Sequence, residues 1–355
     1  MVQLPILHRW RALVAISFIV ALGFAQAPDK IATVNDDSIT TLAFQQRVRY
    51  TRWSIGQQLS QVAHQDGLKA LTDSSSPYNS QYMLLSDSQT LGQQVLDSLI
   101  AVKLVQQEAA RRGISVTDDE VQQQVEAFFG YSPNAPGAAP AIQPGQTPQP
   151  PPNPTQLAQA FQSERDNYFG QAGVAAKMTQ ADVLAIFSEQ ALQIKVFKAL
   201  TSDLPGQAEQ IHVRHILVDS EDKARNLLAQ IKDETTFASL AQADSLDTTN
   251  SAQGGDLGWA VRGVYVQEFD SAIWNGAPGQ VIGPVKTQFG FHLIYIIARE
   301  VRPLGEIDLA RARDARYRDW LKQARASASI KIVDQWQGLV PLDPTLQDLG
   351  LTANP

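Results

Sequence analysis

Apolar residues recur along this chain in two rhythms, and the change falls between Leu204 and Gln210. Upstream they step by three and four, the spacing of a helix face. The clearest case is about Ser88–Arg112, where Leu91, Val95, Leu99 and Val102 share one side and Gly113 follows as a stop. Earlier, Ile31–Val34 reads as a short strand ended by an Asn-Asp-Asp turn. Ser38 or Thr40 can cap a helix reaching about Leu59. Residues 60–90 are polar and weakly patterned, and read as a helix end and a loop. Thr117 with Glu120 spells a capping box for another helix. Further helices are expected at about Thr155–Phe169 and from Thr179 to about Leu200.

Downstream the period shortens. IHVRHILV, Ile211–Val218, is β-branched and strand-like, with Ile211, Val213, His215 and Leu217 on one side. Helices are expected at Glu221–Lys232, Thr236–Ala243 and Gln267–Trp274, and strands at Val281–Lys286 and Phe291–Ala298. Together they make a compact α+β unit. A last helix, about Glu306–Ala328, has Leu309, Tyr317, Trp320 and Leu321 on its apolar side. Arginines 311, 313, 316, 318 and 325 crowd the rest and read as a solvated face. The strand Ile330–Val333 is expected to pair near Ile31–Val34.

Two segments stand outside this pattern. His8, Arg9 and Arg11 precede an apolar run, Ala12–Ala25, that ends in Ala-Gln-Ala. This is the design of a secretory signal, although the proline that follows is a poor cleavage neighbour. Residues 1–27 are therefore expected to be a cleaved signal peptide or a retained N-terminal membrane anchor. Residues 133–154 hold nine of the 19 prolines. They define an expected linker, 131–155, of polyproline-like character.

Charge and motifs then narrow the chemistry. A net charge of −7 argues against a nucleic-acid binder, and the absence of cysteine removes disulfides, thiolate catalysis and Cys-based zinc sites. Neither a P-loop nor a G-x-G-x-x-G occurs near the glycines of SAQGGDLGWAVRG, so no nucleotide is expected. No G-x-S-x-G elbow and no H-E-x-x-H is present. His212 and His215, three apart on a strand, point to opposite faces. No metal or cofactor is expected. What remains is His215, Asp247 and His292. One histidine in an apolar strand is ordinarily a satisfied core residue. Two, on strands of one small unit beside glycine-rich turns, make a site an equal reading.

IHVRHILV, SLDTTNSAQGGDLGW, EFDSAIW and GQVIGPVKTQFGFHLIYI, in that order, resemble a parvulin-type peptidyl-prolyl isomerase domain. The flanks resemble the SurA- and PrsA-type extracytoplasmic foldases. The resemblance implies a multidomain chain: a mostly helical chaperone module over 28–208, a parvulin domain over 209–302, and a C-terminal helix and strand over 303–355 returning to the module. The parvulin domain would be α+β, a four-stranded antiparallel sheet surrounded by helices. It implies an exported isomerase of Xaa-Pro bonds acting on unfolded or proline-containing polypeptides, or alternatively a holdase whose parvulin domain only binds peptide. By the same resemblance His215 and His292 are paired core histidines, Thr287 can join them, and Asp247 faces the substrate carbonyl. Leu257 and Phe269 are walls of a proline pocket, with Phe289 near its rim and Tyr265 beside them. Tyr265 stands where methionine is common, and Ala260 where an aromatic is common. An acidic run, Asp219-Ser220-Glu221-Asp222, replaces the basic loop of phosphate-selective relatives.

Overall fold

The computed structural model describes residues 28–132 and 153–352. The N-terminal apolar run and most of the proline-rich segment lie outside the described residues. Strands β1 (Lys30–Val34) and β2 (Asp37–Thr40) come first, then α1 (Thr41–Asp66), α2 (Lys69–Thr72), α3 (Asn79–Ser86), α4 (Ser88–Arg112) and α5 (Asp118–Phe128). After the proline-rich segment come α6 (Pro154–Ala176) and α7 (Gln180–Thr201). The α+β part is β3 (Gln207–Val218), α8 (Glu221–Leu228), α9 (Glu234–Asp244), β4 (Asp256–Ala260), α10 (Gln267–Asn275), β5 (Val281–Thr287) and β6 (Gly290–Pro303). Helix α11 (Glu306–Ser327) and strand β7 (Ile330–Ile332) follow. Among the described residues, no helix is long and apolar enough to cross a membrane.

The chain divides into two compact units. One gathers Met1–Lys103, Tyr131–Ala185 and Ser329–Pro355; the other gathers Leu104–Gly130 and Ile186–Ala328. In the first, the sheet order is β2-β1-β7, with Val34 registered against Ile330 and Ala32 against Ile332. Thr40 caps α1 by accepting from the Ala43 amide. Residues 60–90, expected as a helix end and a loop, are mostly helical. Three lone leucines explain this: Leu59, Leu71 and Leu85 are fully buried and pack with Leu349 and Leu351 from the C-terminus. The packing that folds so polar a segment comes from residues nearly 300 positions away, beyond any local pattern. Pro154, expected inside the linker, begins α6. At the first helical position its missing N–H costs nothing, and Asn153 caps the turn.

In the second unit the sheet order is β4-β3-β6-β5, all antiparallel. β3 and β6 pair along their whole length, from Gln207–Pro303 to Val218–Phe291. The alternation of β3 separates two cores. Ile211 and Val213 join Ile294, Ile296 and the α10 residues Phe269, Ile273 and Trp274 on one face. Ile216 and Val218 join Leu293 and the α8–α9 residues Leu227, Phe237 and Ala241 on the other. A third cluster sets Tyr317 and Trp320 of α11 against Val105, Ala109, Val196 and Leu200. The basic side of α11 is thereby left outward.

Candidate functional site

The β3–β6 register decides which polar groups meet. His292 is opposite Leu217, and His215 is opposite Ile294. The two histidines are thus diagonal neighbours on the face that carries α10. Their rings lie nearly parallel, 17° apart with centroids 5.4 Å apart, and their Nδ1 atoms are 3.2 Å apart. Thr287, near the end of β5, reaches His292 Nε2 through its hydroxyl at 2.8 Å. At the other end, His215 Nε2 meets Asp247 Oδ2 at 2.9 Å. All three buried members, Thr287, His215 and His292, are under a tenth exposed.

Hydrogen-bonding roles follow from the charge of Asp247. Burial alone would push its carboxyl up, but four donors outweigh that and hold it at about 2. Thr249 supplies its amide and hydroxyl to Oδ1, at 3.1 and 2.6 Å. Asn250 Nδ2 reaches Oδ2 at 2.6 Å, beside His215. An ionised carboxylate only accepts, so His215 Nε2 carries the proton. Burial keeps His215 below its ordinary value despite Asp247, and it is neutral at pH 7. Its Nδ1 then accepts from His292 Nδ1–H, which leaves His292 Nε2 to accept from Thr287. Burial, then the neighbouring His215, hold His292 at about 4. Each proton in the chain Thr287–His292–His215–Asp247 has one place to go. Asn250 Oδ1 is buried without a partner. That costs about 1–3 kcal/mol, so the amide is held in this orientation for its bond to the carboxylate.

Local backbone geometry sets this chain in place. Leu246 N–H donates to Leu217 O at 2.7 Å, which pins the Asp247 loop to β3. His215 N–H donates to Gly255 O at 2.8 Å. Gly255 has φ +74°, and a Cβ there would stand 2.1 Å from His215 O. Only glycine permits this approach, so the glycine-rich stretch brings its own backbone against the histidine strand. Asp256 then turns the chain structurally. Its Oδ1 accepts from His212 Nε2 and the Gly258 amide, at 2.7 and 2.8 Å.

Beside the chain opens a cavity of about 520 Å³. His215, Asp247, His292, Leu257, Tyr265, Phe269 and Phe289 all line it. Thr287 does not; it lies behind His292. The Phe269 ring is edge-on to His292 at 5.2 Å and to His215 at 5.9 Å, and tilts against Tyr265 at 4.9 Å. Burial, together with the negative charges of Asp256 and Asp270, pushes the Tyr265 hydroxyl up to about 12. Leu217, Leu246, Thr248, Val264 and Val266 complete the lining and were not anticipated as site residues. Leu217 was legible as a neighbour of His215 on one strand face. Thr249 and Asn250, the carboxylate donors, carry no pattern of their own. Phe289, Leu246 and Val264 stay well exposed at the rim, an apolar edge with no core to fill. Among the described residues, no group of three His, Cys, Asp or Glu could hold a metal ion.

Comparison with known proteins follows this geometry. The family model of the PPIC-type PPIase domain matches residues 184–300, and that of the SurA-like N-terminal domain matches residues 2–134. The chain is 27% identical over 283 residues to the foldase protein PrsA of Caldanaerobacter subterraneus subsp. tengcongensis, covering 80% of this chain and 78% of that protein. It is 35% identical over 171 residues to a probable parvulin-type peptidyl-prolyl cis-trans isomerase of Bordetella bronchiseptica, covering 45% of this chain and 65% of that one. It is 37% identical over 140 residues to the chaperone SurA of Burkholderia lata, 34% of this chain and 31% of that protein. It thus spans just under two thirds of the Bordetella protein and under a third of the Burkholderia one. The chain belongs to the parvulin-type peptidyl-prolyl isomerases, with a SurA-like N-terminal domain ahead of its PPIC-type domain.

Proposed function

We propose that this chain isomerises Xaa-Pro peptide bonds in unfolded polypeptides, and that the cavity beside His215 is where the proline is held. One observation carries the reading. An apolar cavity walled by Leu257, Tyr265 and Phe269 adjoins a fixed carboxylate whose hydrogen-bond donors are all accounted for. Rotation about an amide must cross about 18–20 kcal/mol, and an Xaa-Pro bond takes tens to hundreds of seconds unaided. At the twisted transition state the amide loses its resonance, and the carbonyl oxygen sheds partial negative charge. A carboxylate beside that oxygen repels the planar form more than the twisted one. Apolar walls act in the same direction, because the planar amide is the more dipolar state. Proton transfer has no agent here: Asp247 is ionised and saturated, and both imidazoles are neutral with both nitrogens engaged. In this reading Asp247 supplies the field, while His215, His292 and Thr287 position it.

The helical module over 28–208 would hold the client, and the C-terminal residues 303–355 would complete that module. In the first unit a groove of about 790 Å³, bordered by Trp53, Val174 and Leu349, offers apolar surface for this task. The apolar run at 1–27 supports export, as a cleaved signal or an anchor; N-terminal sequencing of the mature chain separates the two. A proline-peptide isomerisation assay tests the main reading. Wild-type rates no higher than those of an Asp247→Ala, His292→Ala double variant would leave a holdase that only binds peptide.

A further inference from the structure

The isomerase reading gives no task to the arginines of α11. Arg311 and Arg318 stand seven residues apart, so they share one stripe of the helix, ~10 Å apart along its axis. Both line a second cavity of the same unit, about 670 Å³, together with Arg262. Val264 borders this cavity and the proline pocket alike. A chain held by its proline in one therefore has its flanking residues beside the other.

The charges here run against their surroundings. Residues 209–300 carry 12 acidic and 7 basic side chains. The cavity reverses that, setting three arginines against Glu209 and Asp308. Asp308 is engaged with Arg311 at 3.2 Å. Arg262 rests its guanidinium 5.1 Å from the centre of the Trp274 ring, a contact that leaves its N–H edge to another acceptor. Among the described residues, Arg318 has no carboxylate partner.

We propose that this arginine-lined groove is a second subsite for the client chain, one that holds acidic residues flanking the bound proline. The proposal rests on the isomerase reading, since one chain fills both cavities. An extended peptide advances ~3.3 Å per residue, so Arg311 and Arg318 match carboxylates about three residues apart. The contacts are solvent-exposed, and each changes affinity by about two- to fivefold.

The test uses the full chain and labelled proline peptides bearing two Glu three residues apart, before or after the proline, with Gln counterparts. Binding is read by fluorescence polarisation, and isomerisation by kcat/KM. For one placement the Glu peptide binds about two- to fivefold tighter than its Gln counterpart at low salt. The ratio falls to one or inverts in Arg318→Glu, and falls toward one in about 0.5 M salt. Arg313→Glu, the same charge change off the groove, keeps it. Equal binding of Glu and Gln peptides in both placements overturns the subsite, as does a preference that Arg313→Glu abolishes equally. Failure to isomerise any peptide sinks the isomerase reading, while the polarisation ratio still decides the subsite.

Discussion

Acid is the sharpest probe of the histidine pair. His292 is held at about 4 against an ordinary 6.5, by burial first and by His215 second. In the open chain this imidazole takes up its proton as pH falls through 6.5; in the folded protein it does so only near 4. The stabilisation from keeping it neutral is therefore complete above pH 6.5 and lost as pH falls toward 4. At 1.36 kcal/mol per tenfold, lowering pH from 7 to 4.5 removes about 2.5 kcal/mol through His292 alone. The group is only 5% exposed, so solvent screening takes little from that figure. His215, also lowered by burial, acts in the same direction. Two measurements check this. NMR titration of the five histidines, assigned with single His→Gln variants, should place His292 near 4 and His215 below 6.5. Urea denaturation of wild type and His292→Gln should show the wild-type advantage shrinking by about 2.5 kcal/mol between pH 7 and 4.5. The isomerisation rate should stay flat from pH 7 to 8, since both imidazoles are held below their ordinary value. An imidazole of this pair titrating near 6.5, or a rate that follows such a titration, refutes the assigned proton chain.

Three substitutions probe the rest of the site. Asp247→Asn removes the charge and turns an NH2 toward at least one donor of Thr249, Asn250 or His215; stability should fall by about 1–3 kcal/mol and kcat/KM by about 10²-fold, read by thermal melts and peptide isomerisation. Thr287→Val strands His292 Nε2 without its donor, for about 1–3 kcal/mol in urea, and Thr287→Ser should restore most of it. Gly255→Ala places a Cβ 2.1 Å from His215 O at positive φ, so its melting temperature should drop by several degrees and more than that of Gly263→Ala, where φ is also positive but the space is open.

Much of the α+β unit was legible because its strands alternate cleanly. His215 shares its side with Ile211 and Val213, and the β3–β6 register turned that alternation into a pair with His292. The family motifs named seven residues that line the cavity. They were silent on Thr249 and Asn250, whose work is done by two turn donors that any polar loop could contain. The helical unit was less legible where tertiary contacts override local propensity. Leu71 and Leu85 are single apolar residues in polar surroundings, and their helices form because C-terminal leucines cover them. Pro154 misled for a local reason, since proline breaks a helix interior but starts a helix well.

The pairing of β7 with β1 also gives the molecule a definite order of completion. Val34 finds Ile330 only after residues 35–329 exist, and Leu349 and Leu351 arrive later still. Closing a loop of about 300 residues costs on the order of 5 kcal/mol in chain entropy. The isomerase sheet needs no such wait, because β3 and β6 close it over a contiguous stretch whose ends, Gln207 and Pro303, lie side by side. A ribosome releasing this chain therefore delivers a finished isomerase sheet before a finished helical unit. A product cut short before Ile330 would leave β1 with an open edge and Leu59, Leu71 and Leu85 without their cover. The first strand can close only once Ile330–Ile332 has emerged, so the sheet β2-β1-β7 reports that synthesis has passed β7.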